Sequence, residues 1–460
     1  MGTRRLTVAG GLVRCTVARH AAPRTASLAR PVTDLLTAEA AVLMVVVGIA
    51  IIWSGGDVRR LTALWAVFLP IDRMTGIDPV VFDTIRYAGG ALLVMMVGAD
   101  EPVAVDRTVR RLVVAILALA ATRLAAGIWH PDPDSLRHGL AMVAGVLLAS
   151  MIVRRRCLLP AAAAGYLAGL ALSAVVSLLQ ASHVATLAPS DATAQRYPGL
   201  AAYTTVVSWH MATGLVLACT LMVLSWRSAP RLVFLGAVLV IIFNGGLVSN
   251  GAQGGFLGVA AAGLTVVVLL RHSARLRTLL AVVGATAVLF VGTVAGAAVL
   301  GVDIPTITDY RSDNFANEIA RIDSVKNGIE QFRAHPLTGV PSADFDAMYG
   351  EFPHFLPVES AALTGILGLL AASVVLVMAG AIVLRRPGFD GAMNVAAHAL
   401  LALLVASFLT GPNGPILGIA RTLPLLAAVT LASYPTELVR RDCAASEVGR
   451  RASSGVNIDG

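Results

Sequence analysis

The chain has 460 residues, of which 57% are hydrophobic and only 13% are charged, and its formal net charge is +8. A soluble domain is about 45–50% apolar and about 25% charged, so this composition excludes an ordinary soluble protein and predicts a polytopic membrane protein. The basic charge does not indicate nucleic-acid binding, because the arginines stand at the ends of hydrophobic blocks, where they act as topology signals.

The first 32 residues form a basic tail. Residues 1–30 carry six arginines and no acidic residue. The positive-inside rule predicts that such a tail is cytoplasmic, and a targeting segment is the alternative interpretation.

Apolar blocks fill residues 33–300 and 359–434. A membrane-spanning helix needs about 20 apolar residues, and twelve blocks come close to that length. They lie at about 33–53, 84–100, 112–129, 138–153, 158–180, 203–226, 231–249, 254–270, 278–300, 359–384, 392–410 and 416–434. A further block, Leu61 to Pro70, is short and predicts a re-entrant segment or a short tilted span. The predicted fold is therefore an all-α transmembrane helix bundle of twelve or thirteen spans.

Arginine clusters between the blocks predict the orientation. Even numbers of spans separate these clusters, so all of them can be cytoplasmic. The segments that then lie outside are 130–137, 181–202, 301–358 and 411–415, and the tail 435–460 lies inside.

The longest polar interval, residues 301–358, is predicted to be a large extracytoplasmic loop with one helix. Apolar residues recur at spacings of three and four, which places them on one face of a helix: Phe315, Ile319, Ile322, Val325, Ile329 and Phe332. Asp313 is the expected N-cap, and Pro336 ends the pattern. We expect this helix to lie on the membrane surface or to pack on the bundle.

Two side chains of the loop are candidates for chemistry. Arg321 borders the apolar stripe, although a single arginine on an amphipathic helix is often only a solvated charge. His354 lies where the loop enters the next span, and an imidazole can act as a general base because its ordinary pKa is near 6.5. A surface histidine is the alternative. His335 precedes Pro336 and is interpreted as part of a structural helix stop.

Further candidates lie nearer the membrane. Arg196 precedes a span on the outer side, and Gln253 lies in a polar, glycine-rich hairpin between two spans. Polar groups inside the spans are costly and are functional candidates by default: Arg123, His210, Asn244, His398 and Arg421.

In their order along residues 190–370, these features resemble the O-antigen ligase and O-antigen polymerase superfamily of bacterial envelope glycosyltransferases. Members of that superfamily carry an arginine on a loop helix, then HPL-x-GVG, an aromatic residue, and later HN followed by GxxGL. The similar residues here are Arg321, His335 to Val340, Phe345, His354, and Gly365 to Leu369. Arg196 with Gly199 is similar to an arginine ahead of a mid-chain span, and Ala252 to Gly255 is similar to an SRG-type hairpin.

Three positions depart from the superfamily pattern. Gln253 stands where members usually have arginine, Phe355 replaces the asparagine after the histidine, and Pro341 replaces the second glycine of GVG. The change at Gln253 removes one cationic phosphate contact. One hypothesis is therefore that this protein is a divergent member that binds the lipid carrier without catalysis.

The resemblance implies a glycosyltransferase at the outer face of the cytoplasmic (inner) membrane, in cell-envelope or exopolysaccharide biosynthesis. It would polymerise or ligate a glycan carried on undecaprenyl pyrophosphate, with a glycan or lipid as acceptor. His354 would activate the acceptor hydroxyl, and Arg321, Arg196 and Gln253 would contact the donor. The sugar would transfer with inversion, and neither a metal nor a cofactor is expected. A transporter or flippase of a lipid-linked or small polar substrate is the alternative, favoured by the polar groups at membrane depth.

Overall fold

In the computed structural model, the described residues are 57–74, 79–97, 106–182, 197–201, 204–226, 228–250, 253–270, 307–350, 352–384, 392–410 and 418–433, with isolated positions elsewhere. The regular structure in these ranges is entirely helical, which confirms the all-α prediction. Both terminal tails and most of the predicted spans at 33–53 and 278–300 lie outside the described residues. The choice between twelve and thirteen spans, and the sidedness, therefore stay predictions.

The helices follow the predicted apolar blocks closely. They are α1 (Val58–Val67), α2 (Pro79–Thr84), α3 (Gly90–Val97), α4 (Arg107–Trp129), α5 (Pro133–Arg154), α6 (Leu159–Ala181), α7 (Thr204–Ser225), α8 (Pro230–Asn250), α9 (Gln253–Leu270), α10 (Ile307–Ala334), α11 (Ser342–Tyr349), α12 (Leu356–Leu384), α13 (Ala392–Thr410) and α14 (Ile419–Ser433). A π-helical turn, Ile85–Gly89, joins α2 to α3. Among the described residues, seven helices are long and apolar enough to cross a bilayer, namely α4 to α8, α12 and α13.

The short block at Leu61 forms helix α1, which is too short to cross the membrane alone. Its 10 residues extend about 15 Å at about 1.5 Å per residue, against about 30 Å of hydrocarbon. The helix packs on α6 where that helix carries glycines. An added Cβ at Gly165 would lie 1.8 Å from the carbonyl oxygen of Ala63, so this close contact requires glycine.

Helix α10 confirms the predicted loop helix but corrects its start. It begins at Ile307, ahead of Asp313, so the N-cap prediction is wrong. Ile322 and Ile329 of the apolar stripe are 54% and 38% exposed, whereas Ser324 is 3% exposed, so the face that packs on the bundle is not the one that carries these isoleucines. The helix meets α12 at Gly328, where an added Cβ would lie 2.7 Å from Pro353 and Val358. The two segments can approach this closely only where α10 carries a small residue.

Candidate functional site

A single carboxylate, Asp132, attaches the large loop to the transmembrane bundle. It caps the N-terminus of α5, accepting hydrogen bonds from the Asp134 N–H at 3.1 Å and the Ser135 hydroxyl at 2.7 Å. It also accepts the backbone N–H of Ser342 at 2.8 Å and its hydroxyl at 2.5 Å, at the start of α11. Burial alone would raise the pKa of Asp132, but the hydrogen bonds from Ser342 and Ser135 hold this pKa below its ordinary value. We call this side of the bundle the loop end.

A break in α12 provides the second attachment. The helix leaves helical geometry at Gly365, where φ is 69° and ψ is −156°. The turn from His335 to Val340 docks at this break: the Val340 N–H donates to the Ala362 carbonyl at 2.9 Å, and the Ile366 N–H donates to the Pro336 carbonyl at 2.8 Å. The turn therefore satisfies backbone groups that the break releases.

Glycine is required on both sides of that contact. Gly339 also has a positive φ, 67°, and an added Cβ there would lie 2.3 Å from the Leu363 carbonyl carbon. An added Cβ at Gly365 would lie 2.3 Å from the Leu337 carbonyl oxygen. The side chain of His335 itself is exposed, which agrees with the structural interpretation of this motif.

Packing on both sides positions the segment that carries His354. Phe352 stacks on Phe345 of α11, with ring centroids 5.5 Å apart and planes 14° from parallel. Pro353 fills the space above Gly328 of α10. Helix α12 begins two residues after His354, and its Glu359 N–H donates to the Phe355 carbonyl at 3.0 Å. His354 is thus set in place by α10, α11 and α12 together.

Arg321 and His354 come together at the loop end. Arg321 is half-buried and lies two turns before Gly328, on the face of α10 that packs against α12. Burial of the imidazole, and then the positive charge of Arg321, lower the pKa of His354 to about 4. His354 is therefore neutral at pH 7, the state that can accept a proton.

Beneath these residues, a buried ion pair joins two spans. Arg123 of α4 donates from Nη2 to Oε1 of Glu359 at 2.7 Å, and the two side chains are 6% and 0% exposed. Glu359 is in the first turn of α12, just after His354. Arg123 was a sequence candidate for an intramembrane site, and the structure gives it a partner in the element that positions His354.

The other two predicted donor contacts, Arg196 and the side chain of Gln253 at the start of α9, lie outside the described residues. The residues after Arg196 pack tightly on α6: the Ser177 hydroxyl donates to the Tyr197 carbonyl at 2.8 Å, and the Gly199 N–H donates to Gln180 Oε1 at 2.9 Å. Convergence of all four site residues stays a prediction.

A second group of polar side chains lies inside the bundle, and we call it the inner cluster: Asp72, Arg86, Tyr166, His210 and Arg421. Arg86, carried by the π-helical turn, pairs with Asp72 at 2.5 Å and with Asp83 at 3.1 Å. Tyr166 meets His210 edge to face, with ring centroids 6.5 Å apart. Asp72, Arg86 and Arg421 all lie within electrostatic range of His210.

Sequence reasoning found only part of these two sites. It identified His210 and Arg421 but missed Arg86, although acidic residues stand on both sides of it at Asp72 and Asp83. It also missed Asp132, for which the following Pro133 and Ser135 were a usable N-cap signal. His398, by contrast, bonds within its own helix, with Nδ1 2.7 Å from the Asn394 carbonyl oxygen, and is structural.

No protein-family model and no curated protein matches this chain. The chain is a polytopic helical membrane protein, and any assignment of function depends on the geometry of its own residues.

Proposed function

We propose that this protein is a membrane glycosyltransferase that transfers a glycan from a polyprenyl pyrophosphate carrier at the extracytoplasmic face of the membrane. The proposal is supported by the proximity of Arg321 to His354, whose pKa it lowers, on a loop attached to the bundle through Asp132 and Gly365. A phosphate-binding cation and a proton acceptor are the two groups that this reaction needs.

Each residue has a defined role in the transfer. The acceptor hydroxyl oxygen bonds to the anomeric carbon from the face opposite the pyrophosphate, and its proton passes to His354. The bond from the anomeric carbon to the pyrophosphate oxygen breaks, and the electron pair leaves with the pyrophosphate. Arg321 stabilises that charge, because a guanidinium binds phosphate bidentately and stays protonated. Stabilisation of developing charge is commonly the largest catalytic contribution.

Donor binding would also strengthen the base. Burial, and then the charge of Arg321, hold the pKa of His354 at about 4, which makes it a weak proton acceptor at neutral pH. A pyrophosphate held by Arg321 would place negative charge near the imidazole, and an opposite charge within about 4–6 Å favours the protonated form. The pKa of His354 would then rise toward the working pH, where a general base is most effective.

The test compares the two site residues with matched neighbours. His354→Ala is expected to lower turnover about 10²-fold or more while donor binding persists. Arg321→Lys should lose most activity, since lysine lacks the planar fork. His335→Ala and Arg333→Ala are the controls, because both side chains are exposed. Turnover is measured as lipid-linked glycan consumed by the purified protein in lipid. Full turnover in a folded His354→Ala protein would rule the mechanism out.

The inner cluster favours a second candidate function, a transporter or flippase. Charged groups at membrane depth are what a transport pathway needs, and Arg86, Asp72 and Arg421 are such groups. Movement of a substrate across sealed vesicles that survives His354→Ala and is lost in Arg86→Gln would favour this alternative over glycosyl transfer.

A further inference from the structure

Helix α14 begins inside the bundle rather than at its surface. The backbone nitrogen of Ile419, its first residue, lies 2.7 Å from where a Cβ on Gly145 would stand, and Gly145 is near the middle of α5. The Tyr166 hydroxyl, from the interior of α6, donates to the Ala420 carbonyl at 3.3 Å. The positive end of the α14 dipole is therefore held at membrane depth.

Arg421, in the first turn of α14, is a buried cation with little hydrogen bonding. It is 6% exposed. Its Nη1 donates to the Ser407 hydroxyl at a long 3.4 Å, and its Nη2 has no acceptor among the residues that the structure describes. An arginine carries five donors, and a buried charge is costly unless it is paired.

Asp72 is the carboxylate within electrostatic range of Arg421 among the described residues. It is already engaged, because it pairs with Arg86 at 2.5 Å. Within the described ranges, no carboxylate lies at ion-pair distance from Arg421. Nδ1 of His210, a residue 4% exposed in the same cluster, likewise has no hydrogen-bond partner in those ranges.

We propose that Arg421, the N-terminus of α14 and His210 form an intramembrane site for a phosphate-type oxyanion. The guanidinium fork matches the oxygen geometry of phosphate. The N–H groups of Ile419, Arg421 and Thr422 are already engaged, by Tyr87 and by the Gly418 carbonyl. The start of α14 therefore contributes the positive end of its dipole rather than free donors, as the ends of short membrane helices do at anionic substrate groups. The anion is either free phosphate or the pyrophosphate of a lipid. The site is independent of glycosyl transfer at Arg321 and His354, and it would serve a transporter equally.

The experiment measures anion binding to the full-length protein in nanodiscs by isothermal titration. It uses an Arg321→Ala background, so that the loop end does not contribute. The probes are inorganic phosphate, inorganic pyrophosphate and farnesyl pyrophosphate, with sodium chloride at matched ionic strength as the blank. Binding of the inorganic probes would identify a free anion as ligand, and binding of farnesyl pyrophosphate alone would identify a lipid source. Failure of all three probes to bind would overturn the proposal.

Variants assign the binding to Arg421. Arg421→Gln should weaken the affinity about 10- to 150-fold, the equivalent of one hydrogen bond to a charged group. Ser407→Ala, which removes only the long contact, should change it less than about threefold. Should Arg421→Gln fail to fold, Arg421→Lys keeps the buried charge without the fork, and a similar drop is expected. His335→Ala, at an exposed position outside both sites, should bind like its parent. Unchanged affinity in the folded Arg421 variant would refute the assignment.

Discussion

Substitution of Glu359 tests whether a buried ion pair fixes the element that carries His354. Arg123 and Glu359 approach to 2.7 Å with 6% and 0% exposure. Their direct attraction at an effective dielectric constant of about 20 is about 6 kcal/mol, most of which the loss of hydration offsets. Removal of one partner still leaves the other charge buried and unpaired. Glu359→Gln should therefore lower the free energy of unfolding by about 3–5 kcal/mol.

A double substitution separates charge from packing. Arg123→Met with Glu359→Met removes both charges and keeps similar volumes, so its free energy of unfolding should lie within about 1 kcal/mol of wild type or above it. The measurement is unfolding of the purified protein in mixed micelles by a titration with SDS, followed by circular dichroism.

An exposed ion pair in the large loop, on α10, is the control. Lys326 and Asp323 lie 3.0 Å apart with side chains 65% and 53% exposed. Asp323→Asn should cost about 0–1 kcal/mol, as exposed pairs do. If Glu359→Gln costs no more than Asp323→Asn, the ion pair does not hold α12, the helix that follows His354, against α4.

Three further predictions use other residues of the loop and α12. Arg321→Gln removes a positive charge that disfavours the protonated imidazole, so the pKa of His354 should rise above its value of about 4, while burial keeps it below about 6.5. NMR titration of the imidazole measures this pKa. An unchanged pKa would show that Arg321 has no electrostatic effect on His354. Lys326 is the only lysine, so a membrane-impermeant amine reagent should label it in intact cells if the loop is extracytoplasmic. Lys326→Arg is the blank. Labelling only after permeabilisation would show that the loop lies on the cytoplasmic side, the reverse of the predicted topology. Gly365→Ala should destabilise by about 1–3 kcal/mol because of its positive φ and the blocked contact, whereas Gly380→Ala, a helical position with open space, should be neutral or mildly stabilising. Equal melting temperatures for the two variants would contradict the role of Gly365.

The class of structure follows from local features of the amino-acid sequence. The length of an apolar block and the charge at its ends are local properties of the sequence. A block long enough to cross the bilayer must form a helix, because its backbone groups find no hydrogen-bond partners in the hydrocarbon. The helices α4 to α8 therefore coincide with the predicted blocks to within a few residues. The periodicity around Arg321 likewise predicted α10, because the apolar residues on one face of a helix recur every three or four positions along the sequence.

Which side chains meet depends instead on how the helices pack. The spacing of Ile322 and Ile329 defined an apolar face, but α10 packs through Gly328, because close approach of two backbones excludes larger residues. The partners of Asp132 and Arg123 lie far along the chain, in Ser342 and Glu359. Periodicity shows which face of a helix is apolar but not which distant element covers that face. The ion pair of Arg123 with Glu359 and the electrostatic effect of Arg321 on His354 therefore arise only once the spans and the loop have packed.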